Sequence, residues 1–102
     1  MKKLSYLFFL TILLTNCAHT PEVHTVEIAQ MKFNPPVLYV NKGDTVVFIN
    51  NGFVDHDVTE SENHKWASPV LSAGESWSMV ATESSDYYCS IHVVMKGKIV
   101  VK

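Results

Sequence analysis

After residue 25 the chain never sustains a helical period, and this constrains its fold more than any other feature. Short β-rich runs follow one another instead, broken by turn signals at about 8–12-residue spacing. "VEIAQMKF" (26–33) alternates loosely and stops at Asn34-Pro35-Pro36, where two prolines supply no ladder donor. "VLYV" (37–40) is a run of β-formers, and "NKGD" (41–44) is a turn with Gly43 available for positive φ. "TVVFIN" (45–50) is the most strongly β stretch and ends at Asn51-Gly52, a further turn signal. "HDVTE" begins at His56, and two short strand candidates lie around Val70–Leu71 and Ser76–Ala81. "DYYC" (86–89) leads into a loop, and "GKIVVK" (97–102) closes as a strand. The pattern predicts an all-β sandwich or barrel with Phe33, Phe48, Trp77 and Tyr87 in its core.

The N-terminus reads differently. Lys2 and Lys3 precede an apolar run from Leu4 to Leu14, which is the length of a signal-peptide core. A membrane-spanning helix needs roughly 20 apolar residues. The run ends in "LLTNC" (13–17), which resembles a bacterial lipobox with Asn16 in the place usually held by a small residue. The expected organisation is a cleaved lipoprotein signal peptide over 1–16, a tether over 17–25 whose Cys17 carries lipid, and one domain over 26–102. Conventional cleavage nearby is the alternative. A buried N-terminal helix is disfavoured by the Lys-Lys start and the polar stretch "AHTPEVHT" (18–25). The expected location is the periplasm or cell envelope, lipid-anchored.

Removing residues 1–16 takes away two lysines and moves the formal charge from −2 to −4. No arginine is present. A mildly acidic domain without arginine is poorly suited to nucleic acid. Two cysteines are present, Cys17 and Cys89. If Cys17 is acylated, Cys89 is a lone thiol in an oxidising compartment, a liability unless something uses it. A Cys17–Cys89 disulfide is the alternative, but it leaves the spacing around Cys89 unexplained.

That spacing is the main functional signal. Cys89, His92 and Met95 stand three residues apart, just ahead of the closing strand. Thiolate, imidazole and thioether suit copper, whereas magnesium and calcium take oxygen ligands. Two His, one Cys and a weak axial Met form the blue-copper site, so a second His is required. His19 and His24 fall in the tether and His64 in the polar loop "ESENHKW". His56, in "NNGFVDHDV" just beyond the strand 45–50, is the candidate at a sheet edge. Met31 and Met79 read as ordinary core methionines.

"MKFNPPVLYVNKGDTVVFINNGFVDHDV" and "YYCSIHVVMKGKIVVK" resemble the two halves of a cupredoxin site in the plastocyanin/azurin family. The two residues between His92 and Met95 are similar to the short loop of its amicyanin branch. The resemblance covers 26–102. It implies a Greek-key cupredoxin fold and one copper per chain, held by His56, Cys89, His92 and Met95. It also implies a non-enzymatic carrier that shuttles single electrons between redox partners. A copper carrier or reserve protein using the same ligands is the alternative. An oxidase or nitrite reductase of this fold requires further His-rich sites and a longer chain.

Two departures from the family pattern matter. Asp57 follows the first His where Asn is common; its N–H is expected to reach the Cys89 sulfur, and its carboxylate to lower the reduction potential. Ile91 stands where Pro is frequent, so it keeps an N–H that can also aim at that sulfur. The expected partner is a cytochrome or copper enzyme docking near His92, through Ile91, Val93, Val94, Phe53 and Val54. Those valines packing inward is the alternative. The chain is expected to act as a monomer.

Overall fold

The computed structural model describes residues 20–102. The expected signal peptide over 1–16, Cys17 and His19 lie outside the described residues. Eight strands run β1 (Val23–Ala29), β2 (Lys32–Asn34), β3 (Val37–Val40), β4 (Thr45–Asn50), β5 (Thr59–Glu60), β6 (Ser76–Val80), β7 (Ser85–Tyr88) and β8 (Lys96–Val101). They form two four-stranded sheets in the orders β2-β1-β4-β6 and β3-β8-β7-β5. The pairs β1–β4 and β3–β8 are parallel, and the other pairs are antiparallel. This is the expected all-β sandwich.

The chain changes sheets where its donors run out. β2 ends at Asn34, and Pro35-Pro36 carries the backbone across to β3 in the other sheet. β4 alternates half-buried and buried residues, so Val46, Phe48 and Asn50 all point inward. Phe33, Phe48 and Tyr87 meet edge to face between the sheets, with ring centroids 4.8–6.5 Å apart. Val26, Ile28, Val40, Val58, Leu71 and Ile99 fill the space around them. Trp77 stacks on Phe48 but stays partly exposed, a less buried position than the sequence suggested.

Four expectations need correction. The stretch 26–33 is not one strand but the hairpin β1–β2, turning at Gln30 and Met31 with φ of 54° and 60°. A two-residue hairpin turn of this kind normally uses Asn or Gly, so it left no signal in the sequence. Met31, consequently, is not a core residue but 43% exposed. The tether is shorter than expected, because Val23, His24 and Thr25 already belong to β1 and pair with Thr45, Val46 and Val47. His24 is not simply solvated, since its Nε2 lies 2.9 Å from Asp44 Oδ2.

The loop after β4 and the loop between β7 and β8 meet at one end of the sandwich, where Ser90 bonds Asp57. Those loops carry His56 and the Cys89–Met95 segment.

Candidate metal centre

The first loop is nailed down by the last residue of β4. Asn50 is fully buried; its Nδ2 donates to the carbonyls of Val54 (2.9 Å) and Leu71 (2.8 Å), and its Oδ1 accepts from Gly52 N (2.9 Å). His56 is then gripped by its backbone. Its N–H donates to Leu71 O (3.1 Å), and Leu71 N–H donates to His56 O (2.7 Å). The Val70–Leu71 strand candidate is thus a single bridge that holds His56.

The second loop owes its shape to the three-residue spacing. His92 N–H donates to Cys89 O (3.2 Å), and Met95 N–H donates to His92 O (2.9 Å). Cys89 N–H in turn donates to Met95 O (3.1 Å), which closes the loop on itself. Two successive tight turns thereby gather Cys89, His92 and Met95 at one end of the sandwich. Met95 is 3% exposed.

These loops bring His56, Cys89 and His92 together. Cys89 Sγ lies 3.8 Å from His56 Nδ1 and 3.8 Å from His92 Nδ1, and one ligand atom from each lies within 4.8 Å of the others. Metal bonds of about 2.0 and 2.3 Å meeting near 120° span roughly 3.8 Å between nitrogen and sulfur. The three side chains therefore fit a trigonal metal centre, and their His₂Cys chemistry suits copper. Cys89 is a free, fully buried thiol. Burial and the neighbouring His92 push the pKa of His56 down, against the opposing pull of Asp55 and Asp57. Both leading causes favour the neutral imidazole, which is the ligating form. His64 lies apart from the cluster, exposed and 3.4 Å from Tyr88 Oη.

Asp57 couples the two loops. Its N–H donates to Cys89 Sγ at 3.4 Å, as expected. Its carboxylate also accepts from Ser90 N (2.7 Å) and from the Ser90 hydroxyl. Among the described residues no such bond to the sulfur comes from Ile91 N–H. The Asp57–Ser90 bridge and the Asn50 hub are the site-building features that sequence reasoning missed. A polar residue ending a β-run just before a ligand loop was the available hint for Asn50.

His92 is the half-exposed member of the set, and its chain neighbours Ile91, Val93 and Val94 are exposed and apolar. Phe53 (99% exposed), Val94 (81%), Val93, Val54 and Ile91 all face outward. The alternative in which these valines pack inward is not what the structure shows.

A His₂Cys cluster at one pole of a two-sheet β-sandwich, with His56 and Cys89 buried, defines a class, and comparison with known proteins agrees. The family of copper binding proteins described as plastocyanin/azurin matches residues 21–102, and this chain belongs to it. Amicyanin from Paracoccus denitrificans is 35% identical over 83 residues, covering 76% of this chain and 63% of its own length. Amicyanin-alpha from Methylorubrum extorquens is 31% identical over 83 residues, covering 76% of this chain and 70% of its own. This chain thus spans somewhat under two thirds of the first of these relatives. The solved structure of a reduced amicyanin variant superposes with a TM-score of 0.72 at 35% identity, covering 78% of this chain and 82% of that one. A copper-containing nitrite reductase from Thermus scotoductus gives a TM-score of 0.73 at 30% identity, but this chain corresponds to 23% of its length.

Proposed function

We propose that this protein is a small type 1 blue-copper electron carrier, in which His56, Cys89 and His92 would hold one copper and Met95 would be its weaker fourth ligand. The observation that carries this reading is the 3.8 Å spacing of Cys89 Sγ from both imidazole nitrogens inside a buried pocket. Bound copper supplies a one-electron couple, and the protein's task is to keep its ligand geometry the same in both oxidation states. The Asn50 hub, the His56–Leu71 bridge and the Asp57–Ser90 link hold the two loops against such movement. Asp57 N–H stabilises thiolate charge on Cys89, and burial excludes water and external ligands.

His92 would be the electron's exit. Its ring is the accessible one, and the apolar rim of Phe53, Val54, Ile91, Val93 and Val94 offers a small desolvated contact. Such contacts suit partners that must also dissociate. A cytochrome or a copper enzyme is the partner class we favour, met by a monomer in the periplasm. The lipobox-like "LLTNC" supports a lipid on Cys17, with residues 1–16 removed and a short tether before β1. The domain would then share a surface with membrane-bound redox chains, which raises its effective concentration there.

Repeated oxidation and reduction of the copper-loaded protein, followed by gel filtration, tests the assignment. A carrier of electrons keeps one copper per chain through many cycles. Loss of copper to a chelator within one cycle would transfer the assignment to copper delivery.

A further inference from the structure

The chain leaves the sandwich toward its N-terminus at the pole opposite the metal loops, and it is clamped there. Val23 at the start of β1 pairs in parallel with Thr45 at the start of β4, whereas the ligand loop follows the far end of β4. Fully buried Asp44 is the clamp. Its carboxylate accepts from Glu22 N (3.0 Å) and Asn41 N (3.0 Å) and contacts His24 Nε2 (2.9 Å). Thr45 N–H adds a bond to Glu22 O (2.9 Å). The backbone is thus fixed from Glu22 onward, four residues beyond Ala18.

We infer that the clamped start of β1, sealed by Asp44, is an orienting device: it makes the membrane-attached domain present His92 and its apolar rim away from the bilayer, to a redox domain standing in the aqueous phase. This rests on the proposed lipid at Cys17. The segment 18–22 spans at most about 17 Å when extended. The clamped pole therefore stays close to the lipid headgroups. β4 alone adds roughly 17–20 Å beyond that pole, and the ligand loops lie further out. A partner site embedded in the bilayer is out of reach of His92 while the clamp holds. A water-exposed, membrane-distal domain is within reach.

Energy transfer to a dye on lipid headgroups tests this without copper. The full chain, isolated with its lipid and placed in vesicles, carries a donor dye through Lys42→Cys at the clamped pole or Phe53→Cys at the metal pole. The donor at position 42 should be quenched at least twofold more than the donor at position 53. Equal quenching, or stronger quenching at 53, overturns the inference. A ten-residue Gly/Ser insertion between Thr20 and Pro21, which leaves the β1–β4 pairing intact, should bring the two values together, and an unchanged ratio in the folded variant refutes the orienting role of the short clamped link. Phase separation in Triton X-114 checks the lipid separately. A chain that stays in the aqueous phase refutes the anchor, and the orientation is then tested with a hexahistidine tag in place of Cys17 on nickel-lipid vesicles, with the same ratio expected.

Discussion

Replacing Asp57 by Asn removes a negative charge beside the metal while keeping the shape of the side chain. The Asn carbonyl can still accept from Ser90 N, and the backbone N–H still reaches Cys89 Sγ, so the loops stay joined. The change is therefore nearly pure electrostatics. Asp57 follows His56 directly, and its own nitrogen is 3.4 Å from the sulfur. A carboxylate on the order of 7 Å from the metal, at an effective dielectric of about 20, favours the more positive oxidation state by roughly 2 kcal/mol. For a one-electron couple this corresponds to about 100 mV. The bonds from Ser90 disperse part of that charge, so the variant should show a potential raised by about 50–100 mV. Protein-film voltammetry at fixed pH and ionic strength measures it, with the absorption spectrum as a check on ligand geometry. An unchanged or lowered potential with an unchanged spectrum would refute the argument.

Other outcomes follow from single contacts. Gly97→Ala places a Cβ against the Tyr87 ring, so the core ring must move, and chemical denaturation should show a loss of about 2–3 kcal/mol. Asn50→Ala removes three hydrogen bonds behind His56 and should cost about 2–4 kcal/mol, together with weaker copper binding by competition titration. Val94→Lys puts a charge into the exposed apolar rim; electron self-exchange measured by NMR line broadening should slow at least about tenfold, with stability and spectrum unchanged. Glu60 accepts backbone bonds from Lys65, Asn63 and Glu62, and the Lys65 bond is the leading cause of its lowered pKa. Its contribution to stability is present above the ordinary carboxylate range and fades as pH falls through the lowered value. Glu60→Gln should lower the melting temperature at neutral pH and reduce the difference between neutral and acid conditions.

Much of the site was legible because its chemistry is local. Cys89, His92 and Met95 are adjacent in sequence, and their spacing is that of two tight turns, so residue type and interval sufficed. His56 was found by elimination and by its place beyond a strand, and the structure sets its Nδ1 3.8 Å from Cys89 Sγ. What the sequence hid is non-local. Leu71 grips His56 from 15 residues away, and Ser90 meets Asp57 from 33 residues away; neither leaves a periodic trace. The hairpin at Gln30–Met31 was invisible because neither residue is a customary turn former, and tertiary pairing of β1 with both β2 and β4 overrides that preference. Missing that turn also sent Met31 to the core in the sequence reading, when it stands on the surface. The start of β1 was set too late for a similar reason. Val23–Thr25 look like tether until Thr45–Val47 are known to lie alongside.

The central proposal is that the Cys89 thiolate and the imidazoles of His56 and His92 would hold one copper. Visible absorption of the protein loaded with Cu(II), then titrated with a mild reductant, tests it most directly. An intense thiolate-to-copper band that bleaches and returns on reoxidation is the predicted result. Stoichiometric copper binding with only a weak band would mean that Cys89 is not a strong equatorial ligand, and would contradict the account.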